Sequence, residues 1–565
     1  MKTRLPNGAY KISRSQLGIL VSSLSSKESG IFVQQRLMTL KESLNVSAFH
    51  QAWLRLMERH DVLRSSFHWD EVSPHQLPHS QVELEFEKHD GRHLQTHEKA
   101  KQLEDYIRAD ARRGFELTRP PLMRVAVFHM EENHYEVVWT YHHVMIDGRS
   151  ILILLDELFA FYEALCEKRE LTLPPPRPFR EFIHWISEQK EPSGQLFWEE
   201  TLKGFRTPNA LSSLISAFEP KESDNAIAGN MASYQFPSSL SNSLKQLATE
   251  SETTVATLFQ AAWAVLLSRY SGEKDVVFGS VRAGRKGTVE GAEKMVGLFV
   301  NTVPLRVNVT EQQSIIELLK QLRKYNLRLR PHEHMPLSEI QKYSAVPSSL
   351  PLFQSLVMYD HLSLDAHFAQ RGGNWKNRRF FLRQRLGYPI NFIATGGTDL
   401  SLWYAYDHNK FNRLTMDRIS GHVRTVLEGM VANPHQNISD LPWLTTAEKK
   451  QVVVEWNDTA KTYSDNKCLH DLFEEQARKN PQNVALVFRG KNISYGELKA
   501  RVDSLSSQLV EMEVGNGVKV GVYLSRSPEM IVAVLAIVKA GGAYVPLDVS
   551  YPKDRIQFML EDTKA

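Results

Sequence analysis

Four prolines stand within residues 173–178. Neither a helix interior nor a central strand tolerates them, because proline lacks the N–H and fixes φ. On each side of this break the chain alternates helix and strand patterns, so the break is read as a boundary between two α/β lobes. In the first, Ser47 is placed to cap a helix running to about His60, with Phe49, Trp53, Leu54 and Met57 on one apolar stripe. Residues 62–67 read as a short strand. Residues 135–141, rich in β-branched and aromatic side chains, read as a strand buried on at least one side. Ile151, Leu152, Leu155, Leu158, Phe159 and Tyr162 then recur at helical spacing. In the second lobe, 254–270 reads as a helix, 276–281 as a strand and 315–329 as a helix. The pattern breaks again over 433–444, which holds Pro434 and Pro442, and a new α/β pattern begins beyond about Tyr463.

A chain of 565 residues is too long for one core, and three or four domain-sized units is the prior. The formal net charge is +3 with basic residues scattered, which favours neither a nucleic-acid partner nor a membrane surface. Cys166 and Cys468 lie too far apart in sequence for a disulfide framework or a CxxC zinc site, and a reducing, cytoplasmic compartment fits best. The first residues are polar and carry no secretory pattern, and the most apolar stretch, 531–538, is far below the roughly 20 residues that span a bilayer. It reads as a buried helix.

The junction of the 135–141 strand and the following helix carries the unusual chemistry: Tyr141-His142-His143-Val144-Met145-Ile146-Asp147-Gly148-Arg149-Ser150. A histidine fixed at the end of a rigid element transfers protons well near neutral pH. A helix starting at about Arg149 points free N–H groups back at the loop, where developing negative charge is stabilised. Gly148 allows a close backbone approach or a positive φ. In a chain with 21 histidines a His-His pair is usually incidental and Asp-Gly is a common turn, so spacing alone favours the incidental reading.

His142-His143-x-x-x-Asp147-Gly148 resembles the HHxxxDG signature of nonribosomal peptide synthetase condensation domains. Other segments resemble further motifs of that family, in its order, over about 10–447. They are Ser13-x-x-Gln16, Arg59-His60-Asp61-Val62-Leu63-Arg64-Ser65-Ser66-Phe67, Phe278-Gly279 with Gly284-Arg285, Val296-Gly297-Leu298-Phe299-Val300-Asn301-Thr302, Tyr388-Pro389 and Tyr406-Asp407. The resemblance implies two chloramphenicol acetyltransferase-like lobes in a V-shaped pseudo-dimer, 1–176 and 177–447, with a tunnel between them and a linker over 448–464. Carrier domains dock at opposite ends and insert phosphopantetheine arms, which are substrates; the domain itself binds no cofactor and no metal. It implies His143 as the catalytic residue, binding or deprotonating the α-amine of an acceptor aminoacyl thioester as it attacks the donor thioester. His142, Asp147 and Gly148 complete the motif, Asp147 faces away and pairs with Arg285, and Arg59 and Arg64 are candidates for structural charge pairing. Arg149 departs from the residue types commonest there and reads as a solvated helix-start side chain or a substrate contact. His332-Glu333-His334 pairs two histidines without a further ligand set.

Ile493-Ser494-Tyr495-Gly496-Glu497-Leu498 resembles the first core motif of adenylation domains. Lys539-Ala540-Gly541-Gly542-Ala543-Tyr544-Val545-Pro546-Leu547-Asp548, with Tyr551-Pro552 and Asp554-Arg555, resembles the second. Gly541-Gly542 also reads as a turn after the helix. Residues 465–565 are then the start of a partial α/β adenylation subdomain, inactive as it stands because the phosphate loop and later lysine are missing. Downstream adenylation and carrier domains are the expected partners. With no upstream carrier visible, the donor is expected in trans. That keeps open a starter condensation domain using acyl-CoA or an acyl carrier protein and, from another class, a non-catalytic docking platform. Epimerisation fits the domain order poorly, and cyclisation would need an aspartate-based motif.

Overall fold

The computed structural model describes residues 5–25, 30–69, 73–189, 192–209, 211, 232–360, 364–384, 387–407, 409–462 and 466–565. The chain forms two compact units, Met1–Gln451 and Val452–Ala565. The expected boundary between 464 and 465 lies outside the described residues.

Two large sheets frame the first unit, beside a small three-stranded one of Tyr10–Lys11, His75–Pro78 and Ser65–His68. One has five strands in the order Arg379–Gln384, Val33–Leu40, His134–His142, Met123–Glu131, Phe86–Asp90. The helices Val46–Arg59 and Gly148–Cys166 supply Phe49, Trp53, Leu56, Leu154, Leu155 and Leu158 to a core shared with Trp139 and Tyr141 of the sheet. Each such side chain contributes about 1.5–3 kcal/mol when fully buried. On the other side, the helix Thr96–Arg113 places Ile107 with Phe128 and Val138. The second sheet has six strands in the order Asn301–Asn308, Asp275–Arg282, Ser355–Asp360, Ile390–Thr395, Ser401–Tyr406, Ala232–Gln235. The helices Val255–Ser271, Ile315–Leu329 and Arg413–Ala432 pack on it.

Sequence periodicity and structure differ in three places. Asn45, not Ser47, caps the first of these helices, because its side chain accepts the Ala48 N–H at 3.0 Å and starts the helix at Val46. Residues 61–64 wind into a short 3₁₀ turn, and the strand is confined to Ser65–His68, which pairs with His75–Pro78. The Arg379–Gln384 strand, which follows the proline break by some 200 residues, pairs antiparallel with Val33–Leu40 and completes the first lobe's sheet. Arg378 anchors this crossing segment. It is buried, bonds Glu42 at 2.7 Å and stacks on Phe159 and Trp375.

The second unit has two two-stranded sheets, Val484–Phe488 with Lys491–Ser494 and Lys519–Val522 with Ala543–Pro546. Its small core holds Ile493, Leu498, Val502, Val532 and Ala536. The helix Pro528–Lys539 ends in a turn at Gly541, whose φ of 87° favours glycine. The most apolar stretch of the chain lies in this helix. No helix among the described residues is long and apolar enough to cross a membrane.

Candidate active site

The His134–His142 strand delivers two adjacent histidines into different surroundings. The Val144 backbone N–H can only donate, so His142 Nδ1, 3.2 Å away, accepts, and its Nε2–H faces Ser23 Oγ at 3.2 Å. Burial, and then the neighbouring His143, push the His142 imidazole down to about 3, so it is neutral. In His143 the roles reverse. The Ile146 carbonyl can only accept, so Nδ1 at 2.8 Å carries the proton. That leaves Nε2 as a lone-pair acceptor, and among the described residues no hydrogen bond reaches it. Burial lowers the His143 pKa, against the opposing Ile146 hydrogen bond and Asp147 charge. The ring is half-buried and lines the cavity.

The loop carrying these rings is held by its backbone, by burial and by a glutamine. His143 N–H donates to Phe32 O at 2.8 Å, and Phe32 itself sits at a left-handed φ of 65°, a conformation kept only under constraint. Val144, Met145 and Ile146 are fully buried. Gln16, also fully buried, donates from Nε2 to Val144 O at 3.1 Å. Its other contacts explain the Ser13-x-x-Gln16 spacing: Ser13 N–H bonds Gln16 Oε1 at 2.8 Å and Gln16 N–H bonds Ser13 Oγ at 3.0 Å, a reciprocal cap. No sequence signal marks Phe32, whereas Gln16 is marked by the family motif Ser13-x-x-Gln16, whose spacing proves to be that of a reciprocal cap.

Asp147 turns away from the rings. Its carboxylate accepts Ser150 N–H at 2.8 Å, Ser150 Oγ–H at 2.8 Å, Phe299 N–H at 3.0 Å and Arg285 at 2.7 Å. Arg285 also donates to Ala292 O at 2.6 Å and Met295 O at 2.8 Å, and lies 4.0 Å over the Phe299 ring. The expectation of free N–H groups at the helix start is corrected at Ser150, whose N–H is spent on Asp147. Gly297 and Gly284 make the arrangement possible. A Cβ at Gly297 would run into the Phe179 ring, and one at Gly284, φ 63°, into the Phe299 carbonyl. Gly148 differs from expectation: its backbone is not left-handed, and a Cβ there would meet nothing within 4 Å. The glycine keeps the wall open instead of permitting a turn.

The remaining predicted residues sit apart. Arg59 bonds Glu157 at 3.0 Å, as does His60 at 2.6 Å, bracing the Gly148–Cys166 helix from behind. Arg64 departs from charge pairing: it donates to the carbonyls of Met57, at 2.8 Å, and of His79 and Ser80, tying the 3₁₀ turn. Arg149 is exposed and reaches Glu293 O at 3.4 Å. Among the described residues no cluster of His, Cys, Asp and Glu could hold a metal ion.

Beside His143 lies a cavity of about 1410 Å³ with walls from both lobes, among them Arg36, Gly148, Gln260, Arg282, Met358 and Trp403. It is large enough for two extended ligands to meet at one imidazole. The neutral Nε2 can take a proton from a nucleophile held there and return it to a leaving group.

Residues 7–453 match the family model described as Condensation domain, and 473–565 match AMP-binding enzyme. Bacitracin synthase 3 of Bacillus licheniformis is 32% identical over 566 residues, covering 98% of this chain and 9% of that protein. Surfactin synthase subunit 3 of Bacillus subtilis is 30% identical over 565 residues, covering 98% of this chain and 43% of its own length. The chain therefore spans less than half the length of these curated relatives. A holo four-domain nonribosomal peptide synthetase bound to AMP and glycine superposes with a TM-score of 0.76 at 22% identity, covering 100% of this chain and 44% of that one. The starter condensation domain of rhizomide synthetase in complex with C8-CoA gives 0.66 at 17% identity, over 78% of this chain and 98% of that one.

Proposed function

This chain belongs to the condensation-domain family, and on that premise we propose that its first unit forms an amide bond between two thioester-bound substrates. The amine nitrogen of an acceptor aminoacyl thioester attacks the carbonyl carbon of a donor acyl or peptidyl thioester. The C–N bond forms, the C–S bond breaks, and His143 Nε2 carries the amine proton to the departing sulfur. The substrates arrive on phosphopantetheine arms of carrier domains. The observation that carries the reading is the tautomer of His143: Nδ1–H is spent on Ile146 O, so the free nitrogen in the cavity is a base and not a donor.

The chemical demand on that base is modest. A thioester is activated, and an α-amine with a pKa of roughly 8 is partly neutral at pH 7. Holding both reactants in line supplies up to about 7–11 kcal/mol, while general-base help is typically about 10²–10⁴-fold. His142, with both ring nitrogens bonded, positions the loop, and Asp147 with Arg285 fixes its exit. The test is His143→Ala under single-turnover conditions with loaded carriers. Amide formation should fall about 10²-fold or more; an undiminished rate would remove His143 from the reaction. Acyl transfer from acyl-CoA is the second reading, since a starter domain solved with C8-CoA shares this fold. Incubation with acyl-CoA and a loaded acceptor carrier separates the two. The second unit would belong to an adenylation domain, and its two motifs include no phosphate-gripping loop.

A further inference from the structure

We infer that Arg282, Asn326, Gln260 and Ser280 form a donor-rich subsite in the cavity wall that takes a singly charged oxyanion of the substrate. The inference deepens the reading above and rests on it for which molecules enter the cavity.

Val276 and Phe278 of the Asp275–Arg282 strand point into the core beneath the helices. Period two puts Ser280 and Arg282 on the same face. There they meet Gln260 of the Val255–Ser271 helix and Asn326 of the Ile315–Leu329 helix, so the layer turns from apolar to polar where it opens to the cavity. All four line it.

The hydrogen bonds run in one direction. Arg282 donates to Asn326 Oδ1, Asn326 Nδ2 donates to Gln260 Oε1 at 2.9 Å, and Gln260 Nε2 donates to Ser280 Oγ at 3.2 Å. A guanidinium cannot accept, so it fixes which Asn326 atom faces it, and that in turn fixes Gln260. Each side-chain oxygen in the relay already receives one hydrogen. Beside one further lone pair on each of those oxygens, hydrogens remain for a ligand: the second N–H of Asn326 and of Gln260, the Ser280 hydroxyl hydrogen, and the Arg282 fork apart from its buried Nε. Such a wall complements an acceptor with no hydrogens of its own.

Charge points the same way. Arg282 lies within charge range of Glu333 and Arg330, all three line the cavity, and together they leave one cation in excess. Arg323 is paired with Glu252 at 2.5 Å. Among the described residues Arg282 has no ion pair, although it feels the Glu333 charge, and its buried Nε lacks a partner. Burial raises the Glu333 pKa, weakening it as the missing counterion. A carboxylate on the acyl or aminoacyl group and the phosphodiester of a carrier arm share the required chemistry.

Calorimetric binding to the full chain in a His143→Ala background tests this without needing turnover. One arm uses N-acetylcysteamine thioesters, which carry no phosphate: glutaryl against pentanoyl, and glutamyl against glutaminyl. The other uses the methyl phosphodiester of pentanoyl-phosphopantetheine, singly charged like a carrier-bound arm, against pentanoyl-pantetheine. In at least one arm the anionic probe should bind about 10-fold tighter than its neutral partner. Adding Arg282→Gln should bring that ratio near one with neutral binding changed less than about twofold, Arg282→Lys should keep part of it, and Asn326→Asp should remove it by supplying an internal carboxylate. The arm that responds names the source of the oxyanion. Equal ratios with and without Arg282→Gln in both arms would overturn the subsite. If the anion preference stands while no thioester pair is ever joined by the unaltered chain, the proposed activity falls and the subsite remains.

Discussion

Removing the Asp147 carboxylate should cost the first unit stability and rate together, because it is the buried node joining the histidine loop to the second lobe. Asp147 is fully buried and Arg285 nearly so. Asp147→Ala strands the guanidinium with two carbonyls and the Ser150 hydroxyl but no counter-charge, a loss of about 3–5 kcal/mol. Arg285→Ala leaves the carboxylate with Ser150 N–H, Ser150 Oγ and Phe299 N–H, so its cost falls at the low end, about 3 kcal/mol. Both changes delete one pair, so the double variant should cost less than their sum, with a coupling of about 2–3 kcal/mol. Nine of the ten tryptophans lie in the first unit, all but Trp456, so urea unfolding followed by fluorescence reads that unit in the intact chain. Among folded molecules both single variants should lose amide formation by similar factors, up to about 10²-fold, since each lets the His143 ring drift. A rate in Asp147→Ala far below that of Arg285→Ala would show that Asp147 acts on the reacting atoms. Zero coupling would show that the pair is not the node.

Three further outcomes follow from the same geometry. Gly297→Ala should destabilise the first unit by about 1–3 kcal/mol, read as a shifted urea midpoint, because its Cβ overlaps the Phe179 ring. Gln16→Ala should cost about 1–3 kcal/mol and slow amide formation by loosening the loop at Val144; a normal rate with lost stability would confine Gln16 to folding. The unfolded His142 imidazole binds a proton below about pH 6.5, whereas the folded one does not until about 3. Between those values the unfolded state binds more protons, so stability falls as pH falls, by up to about 1.4 kcal/mol per unit from this group. His142→Gln should flatten that slope in urea midpoints at pH 7.5, 6.5 and 5.5; an unchanged slope would mean another group sets it.

Periodicity and motif order made the elements that carry the site legible, because helix and strand patterns are local. The 315–329 helix is predicted to the residue, and the 254–270 helix is shifted by one. What was not legible depends on partners far away in the chain. Nothing within Arg379–Gln384 says that it pairs with a strand more than 300 residues earlier. Nothing in Ser13-x-x-Gln16 says that its glutamine reaches Val144. The relay from Arg282 to Ser280 joins three elements, and no spacing rule connects them. Ser47 failed as a cap for a local reason: Asn45 and Ser47 are both good caps, and only the structure shows which side chain reaches an N–H.

The adjacent histidines show how far one period carries. Consecutive residues on a strand point to opposite faces, so a His-His pair at a strand's end cannot place both rings on one substrate. Only one can face the cavity, and the hydrogen bonds decide which. His142, paired across the sheet with Val33, has both nitrogens bonded and is too poor a base to hold a proton at neutral pH. His143, one step beyond the ladder, keeps Nε2 open because Ile146 turns back to occupy Nδ1. The three residues between His143 and Asp147 therefore do more than span a gap. They bury themselves as a plug, return a carbonyl to the imidazole and hand the chain to a carboxylate anchored on the other lobe. One insertion within Val144–Ile146 should abolish amide formation even though it leaves both histidines and Asp147 in the sequence, since the carbonyl that sets the tautomer would no longer meet the ring.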